Sequence, residues 1–217
     1  MIKTRCSVFK SSNRRDGRLA KKLLFLGATL PVFPLLGATH LIADDFTIPD
    51  GRTVTNTQTL TDPGDTGTIQ QGGTIATVGN GVSGVDMLSS GQTVSNAGAI
   101  TTDGLSAFGV SSVGADATIT SSGAISTTGD FSHAIVSGAE RAEITNSGTI
   151  DTGTGREGFG INSRGGSAVV NNTGTITTSG QSGHGIKSAG DTASLTNDNA
   201  IITNGAEAKG IKSEGAD

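Results

Sequence analysis

The sequence contains few of the residues that usually build a protein core. Its 217 residues include no Trp, no Tyr and one Cys, and aromatic side chains make up 3% of the chain, whereas Gly occurs 34 times. Such a chain cannot fill a thick globular core with large side chains. It is therefore either disordered, or it buries small side chains in a very regular arrangement.

The basic residues are concentrated at the N-terminus, which predicts a signal peptide with an extended basic n-region over residues 1–43. Eight of the fifteen Lys and Arg precede residue 23, and the apolar run LLFLGATLPVFPLLGA follows at once. This run is shorter than the roughly 20 residues that a membrane-spanning helix needs. Because Cys6 belongs to this segment, we expect an exported chain whose remainder has no disulfide, no thiolate ligand and no cysteine nucleophile.

The remaining chain is acidic. From residue 44 onward there are 7 Lys and Arg against 18 Asp and Glu, a balance of about −11. Phosphate backbones would be repelled by this charge, so the sequence argues against nucleic acid as a partner.

A period of about 25 residues governs the rest of the sequence, and three columns of aliphatic residues follow it in step. The first column is Ile69, Val94, Ile119, Ile144, Val170 and Leu195. The second is Ile75, Ile100, Ile125, Ile150, Ile176 and Ile201. The third is Val85, Val110, Ile135, Ile161, Ile186 and Ile211. The only irregular step is one extra residue between Ile150 and Ile161, where we expect a turn to absorb it.

The columns are separated by turn residues and show no sustained helical spacing, so each repeat is interpreted as three short strands. The sequence therefore predicts an all-β fold: a right-handed parallel β-helix of about six coils of 25 residues, with three short strands per coil. Residues 69–217 are predicted to form these repeats, with the last coil truncated. Residues 44–68 depart from the period and are predicted to form an irregular N-terminal cap.

Small and polar residues follow the same register, and we expect them to be structural. The column Gln71, Asn96, Ser121, Asn146, Asn172 and Asn197 is predicted to form hydrogen bonds from coil to coil. The same bonding is predicted for Ser112, Ser137, Ser163, Ser188 and Ser213. A glycine column is predicted to turn a corner with positive φ, with Asn199 taking its place in the last coil; its members are Gly73, Gly98, Gly123, Gly148 and Gly174. The column Ala117, Ala142, Ala168 and Ala193 is expected where the walls approach closely.

Residues with catalytic potential are sparse. His133 and His184 share one column with Phe108, Phe159 and Lys209, and two coils, about 10 Å, separate the histidines, too far to ligate one metal directly. We therefore interpret them as corner residues on a solvated or partly buried edge. The aspartates fall at different phases of the repeat and provide no adjacent pair: Asp86, Asp103, Asp116, Asp130, Asp151 and Asp191. The sequence thus predicts no catalytic, cofactor-binding or metal-binding residues, no cofactor and no enzymatic activity.

Repeats such as ITNSGTIDT and VNNTGTITTSGQSGHGIKS, behind an extended basic leader, resemble the passenger region of type V autotransporters. The resemblance covers residues 69–217 and the leader, and it implies a β-helical, adhesin-like segment of a Gram-negative cell-surface protein. The family carries a C-terminal outer-membrane barrel that is not found in this chain. Any membrane attachment is expected through such a barrel, with the periplasm as the location in its absence. The expected partners are glycans, host surface proteins or identical chains.

Two alternatives stay open at this stage. One is a β-helical carbohydrate-active enzyme of the polysaccharide lyase or hydrolase kind, which a reproducible acidic cluster on one face would favour. The other is a self-associating periplasmic or extracellular filament protein.

Overall fold

A computed structural model describes residues 44–215, which form an all-β parallel solenoid of seven coils. Each coil contributes one short strand to each of three sheets, here called sheets A, B and C. Within residues 44–215 no helix is long and apolar enough to cross a membrane. The predicted signal peptide at 1–43, with Cys6 and His40, lies outside the described residues.

The strands are short and all neighbours run parallel. Sheet A contains β1 (Phe46–Ile48), β4 (Thr66–Ile69), β7 (Thr93–Asn96), β10 (Thr118–Ser121), β13 (Glu143–Asn146), β16 (Val169–Asn172) and β19 (Ser194–Asn197). Sheet B contains β2 (Thr53–Val54), β5 (Thr74–Val78), β8 (Ala99–Asp103), β11 (Ala124–Thr128), β14 (Thr149–Asp151), β17 (Thr175–Thr178) and β20 (Ile201–Thr203). Sheet C contains β3 (Gln58–Leu60), β6 (Val85–Met87), β9 (Val110–Ser112), β12 (Ile135–Ser137), β15 (Ile161–Ser163), β18 (Ile186–Ser188) and β21 (Ile211–Ser213).

The predicted columns in sheets B and C are confirmed residue by residue. In sheet B, Ile75 pairs with Ile100, and the register continues without a shift to Ile201. In sheet C, Val85 pairs with Val110, and the column ends at Ile211. Each buried aliphatic side chain contributes about 1.5–3 kcal/mol, so these columns supply much of the stability of the fold.

The core runs along the axis of the solenoid and is closed on three sides by the sheets. Through the first six coils its aliphatic side chains are almost completely inaccessible to solvent, except Val54 in the first coil, which is partly buried. In the seventh coil Leu195 and Ile201 are only partly buried, and Ile211 is 46% exposed. Of the predicted alanine column, Ala117, Ala142 and Ala168 are buried.

The structure has seven coils where the sequence predicted six. Residues 44–68, expected to form an irregular cap, contain β1, β2 and β3, each paired in parallel with the next coil. The 25-residue period does not reveal the first coil, because the sequence separation between its residues and their partners in the second coil differs from sheet to sheet. Phe46 pairs with Gly67 and Leu60 pairs with Met87, so paired residues lie closer in sequence in sheet A than in sheet C.

The prediction that Ile69 and Val94 share a column is wrong. Ile69 pairs with Asn96, and Gly67 pairs with Val94. The ring of Phe46 covers Gly67, so a Cβ there would lie 2.4 Å from it. Gln71 accordingly lies in the corner and is exposed, and it does not belong to the asparagine column.

The glycine column also differs from its prediction, since none of its members has a positive φ. These glycines are required because the preceding coil approaches closely: a Cβ on Gly148 would lie 1.9 Å from the carbonyl oxygen of Gly123. Asn199 likewise lies outside the left-handed region. The non-glycine residues with positive φ form two other columns, such as Ser106 and Phe131 at one corner and Asp116 and Arg141 at another.

The asparagine column forms the coil-to-coil bonds that the sequence predicted. The amide of Asn146 donates to Asn172 Oδ1 at 2.7 Å, and Asn172 donates to Asn197 Oδ1 at 2.7 Å. The serine column does not. Ser137 Oγ accepts from the Ala139 N–H, whereas three hydroxyls are buried without a partner among the described residues: those of Ser112, Ser163 and Ser188.

The predicted one-residue insertion is confirmed, and a turn absorbs it. In other coils a threonine hydroxyl donates five residues ahead, as from Thr127 to the carbonyl of Ser132. At the insertion Thr152 donates six residues ahead, to the carbonyl of Gly158. Gly153 supplies the extra turn with φ 55°. The strands on both sides keep their register.

Candidate functional site

The outer side of sheet C differs from the rest of the surface because large and charged side chains occupy its columns. The ring column is formed by Phe108, His133, Phe159 and His184. Beside it, the middle residues of the sheet C strands from the second coil onward form the middle column, which is Asp86, Ser111, Val136, Asn162, Lys187 and Lys212. We call these two columns together the ring face.

The rings of the ring column stack nearly parallel to one another along the solenoid. The centroid distances are 5.4 Å from Phe108 to His133, 4.6 Å from His133 to Phe159 and 5.1 Å from Phe159 to His184. The spacing of strands in a sheet, about 4.8 Å, brings equivalent rings to this separation. Such stacks stabilise by roughly 0.5–1.5 kcal/mol per pair beyond burial.

Each histidine also completes the backbone pairing of the next coil. His133 Nδ1 accepts the N–H of Phe159, and His184 Nδ1 accepts the N–H of Lys209, both at 3.1 Å. An imidazole that accepts at Nδ1 carries its proton on Nε2 in the neutral form. Both histidines are therefore neutral donors at Nε2.

The Nε2–H of His133 is bound by Asn162 in the next coil. The Asn162 carboxamide, oriented with its oxygen towards the donors, accepts from His133 Nε2 at 3.1 Å and from Arg164 Nη2 at 2.9 Å. Burial lowers the pKa of His133 to about 3, and the charges of Arg164 and Lys187 act in the same direction. The imidazole consequently stays neutral throughout the physiological pH range.

A cleft of about 330 Å³ opens on the ring face at coils 5 to 7. Phe159, His184, Lys187 and Lys212 line it. Glu157, Ser182, Glu207 and Lys209 complete its wall. Since cations, carboxylates and a hydroxyl all line the cleft, it offers both donors and acceptors to a polar ligand.

Glu214 lies beside this cleft and bridges two of its lysines. Its carboxylate lies 3.1 Å from Lys187 Nζ and 2.6 Å from Lys212 Nζ. Hydrogen bonds from Lys212 and Lys187 lower the pKa of Glu214 to about 2. The pKa of His184 is lowered first by burial and then by the charges of Lys212, Lys187 and Lys209, with Glu214 acting in the opposite sense.

The structure confirms the shared column of His133 and His184 but not its predicted environment. The two residues are 4% and 5% exposed, more deeply buried than the predicted corner on a solvated or partly buried edge. Phe159 lies between them. Among the described residues no group of three or more His, Cys, Asp or Glu is placed to hold a metal ion.

Sequence reasoning missed the two middle-column lysines and Glu214. The signal was present, because GIKS occurs at 185–188 and again at 210–213, which places Lys187 and Lys212 in one column. The 25-residue period assigns this segment to a strand and gives no function to the lysine within it.

The aspartates are dispersed, as the sequence indicated. Asp116 pairs with Arg141 at 2.7 Å, and Asp103 accepts from the Thr128 hydroxyl at 2.7 Å. Asp130 accepts from the Arg156 backbone N–H. The pKa of Asp86 is raised, because burial outweighs the opposing hydrogen bond from Ser83. These four carboxylates therefore have separate partners.

Comparison with known proteins gives one family. The sequence model of the BigA third pectate lyase-like domain matches residues 45–207, which include all seven strands of sheets A and B and six of the seven strands of sheet C. No curated protein and no solved structure matches the chain.

Proposed function

Since the chain belongs to the BigA third pectate lyase-like domain family, we propose that its β-solenoid is a non-catalytic, ligand-presenting segment of a bacterial surface protein. The observation that carries this proposal is the regularity of the side-chain columns. Equivalent residues repeat at one height per coil over seven coils, which makes a stiff body about 30 Å long. Such a body holds many weakly binding groups at fixed spacing, so a polymeric ligand can bind several of them at once.

The chemistry of the outer faces supports a polar ligand. The outward residues of sheet A are mainly hydroxyl-bearing, as in Thr93, Ser95, Thr118 and Thr120. Hydroxyls both donate and accept, and their short side chains lose little entropy on binding. Glycans and the polar surfaces of host proteins are ligands of this chemistry, and a second copy of the chain would offer the same groups.

The proposed location of this segment is the cell surface, as part of an autotransporter-like protein. The predicted basic leader ahead of a long β-solenoid supports this location. The balance of about −11 from residue 44 onward disfavours nucleic acid as a ligand.

Catalysis on a polysaccharide is the second candidate, and the family description favours it because it contains the words pectate lyase-like. Cleavage of a glycosidic bond by hydrolysis uses two carboxylates that flank the bond. Here Asp86, Asp103, Asp116 and Asp130 lie in different coils or at different corners, each with its own partner. This dispersion supports the non-catalytic proposal.

One experiment separates the two candidates. The purified chain is applied to an array of neutral and acidic glycans, and each bound polymer is then incubated with the chain at high concentration. Depolymerisation is followed by reducing ends and by the ultraviolet absorbance of unsaturated uronides. We expect retention on the array, lost when the chain is unfolded by heat, without new chain ends. Turnover of any polymer would overturn the non-catalytic proposal, and absence of retention on every surface would overturn ligand presentation.

A further inference from the structure

The repeat places the two histidines in equivalent positions but gives them different surroundings. In coil 5, Asn162 and Arg164 lie above His133, and the Asn162 oxygen accepts from both neighbours. The residues at the equivalent positions above His184, in coil 7, are Lys212 and Glu214. Where the lower site has a neutral acceptor and a cation, the upper site has a cation and a carboxylate.

Because Lys212 takes the position above His184 that Asn162 has above His133, the site at His184 has no neutral acceptor for the imidazole N–H. His184 is neutral with its proton on Nε2, because Nδ1 accepts from Lys209. Among the described residues, no hydrogen bond to this Nε2 is formed. Lys187 and Lys212 line the same cleft as His184, so the imidazole and the two lysines lie on one surface.

The carboxylate that binds these two lysines in the folded chain lies beside the cleft. Glu214 binds both lysines, and its side chain is 38% exposed, so it can leave without opening the core. The lysine side chains are less exposed, at 23% and 31%, and are therefore held more firmly than the glutamate they bind.

From this geometry we infer that the cleft is an oxyanion-binding site formed by His184, Lys187 and Lys212, and that Glu214, beside it, is an internal stand-in that a ligand oxyanion displaces. The chemical class is a carboxylate, sulfate ester or phosphate ester carried on a larger ligand. Its oxygen would accept from His184 Nε2 as the Asn162 oxygen accepts from His133, and its charge would replace that of Glu214 beside the two lysines. The inference rests on the proposed function in taking the ring face as a ligand-presenting surface.

The test uses small anions, so that it reads the site whether or not the glycan proposal holds. Acetate, sulfate and phosphate are titrated separately into the full chain at constant ionic strength, and the ¹⁵N signals of the imidazoles are followed by NMR. We expect saturable shifts at His184 and none at His133, whose Nε2 is already bound. The anion that shifts His184 at the lowest concentration identifies the ligand group.

Two substitutions of equal charge make the test specific. Glu214→Gln removes the stand-in and is expected to tighten anion binding about three- to tenfold, since exposed ion pairs are individually weak. Glu207→Gln changes the net charge equally on the same cleft, but Glu207 bonds Ser182 rather than a lysine. We expect it to change the affinity less than twofold.

The outcomes are distinct. Lys212→Met is expected to abolish the His184 shifts, with circular dichroism confirming that the solenoid is folded. Equal tightening by Glu214→Gln and Glu207→Gln would show general electrostatics and overturn the site. Anion binding with no glycan retention would leave the site standing and overturn the proposed function alone, and shifts that never saturate would overturn the site.

Discussion

The first two coils and the five that follow form the corner between sheets A and B in different ways. In coil 2 four residues, Gln70–Gly73, separate the paired positions Ile69 and Thr74, and Gly72 turns with φ 81°. In coil 3 two residues, Ala97 and Gly98, separate Asn96 from Ala99. The strand before the wide corner ends at a buried aliphatic residue. The strand before the narrow corner ends at an asparagine whose side chain accepts a hydrogen bond from the corner backbone.

The corner between sheets C and A shows the complementary change. In the first two coils large apolar residues, Leu60 and Met87, end the sheet C strands, and the side chains of Asp65 and Gln92 accept backbone N–H groups. In the later coils serines take the positions of Leu60 and Met87, and alanines take the positions of Asp65 and Gln92. At these corners the first two coils are therefore stabilised by large buried apolar side chains, and the later coils by small residues and hydrogen bonds.

Truncating Met87 tests the first half of this comparison and has the largest expected effect. Met87→Ala leaves a cavity in a site with no exposed surface, and should lower the free energy of unfolding by about 2–5 kcal/mol. Urea unfolding followed by circular dichroism measures it. Ser112→Ala, one coil further in the same column, removes a hydroxyl without a partner and should change stability by less than about 0.5 kcal/mol. Equal losses at both positions would show that the two regions do not differ.

Removing Asn172 tests the second half and should have an intermediate effect. Asn172→Ala deletes the bonds to Asn146, Asn197 and the Gly174 carbonyl, and leaves the buried Asn146 amide with only the Gly148 carbonyl, at 3.5 Å, as an acceptor. We expect a loss of about 2–3 kcal/mol. The neighbour Asn171 lies on the outer side of the same strand, and its buried Oδ1 has no hydrogen-bond partner among the described residues, so Asn171→Ala serves as the control and should change stability little. Hydrogen exchange should show the loss spreading through coils 5 to 7, and a loss confined to one coil would contradict a continuous ladder.

The ring column sharpens the comparison by pH, because only the later coils carry histidines there. The fold lowers the pKa of His133 from 6.5 to about 3, so the stability from its neutral form is present above pH 6.5 and declines as the pH falls towards 3. Between pH 7.5 and 5 this single group should contribute a loss of about 2 kcal/mol.

The measurement for this third prediction compares the wild type with His133→Phe, which keeps the stack but cannot be protonated. The unfolding free energy of the wild type minus that of His133→Phe should fall by about 2 kcal/mol between pH 7.5 and pH 5. A pH dependence that is the same in both chains would assign it to the carboxylates instead.

The sequence predicts most of the fold because sheets B and C keep a strict period from Ile75 onward. It could not place Ile69, since a shift of two residues keeps the same face of a strand buried and leaves the hydrophobic pattern unchanged. The packing of Phe46 over Gly67 and the four-residue corner after Ile69 accompany the shifted register there.

The candidate site was less accessible to sequence reasoning. The period brings His133 and Phe159 together, but the bond from the Phe159 N–H to Nδ1 depends on how the ring is turned. The role of Glu214 depends on a contact with two lysines from neighbouring coils. Neither feature follows from residue type and spacing alone.

The coil that contains the insertion has a practical consequence. Its turn at Gly153 takes one additional residue while the strands before and after it keep their pairing in all three sheets. A corner with this tolerance is a natural insertion point, so a peptide epitope or a small reporter spliced between Gly153 and Thr154 should be displayed at a known height on a rigid support. The solenoid would then hold the inserted peptide at a defined position along its axis, because successive coils are evenly spaced.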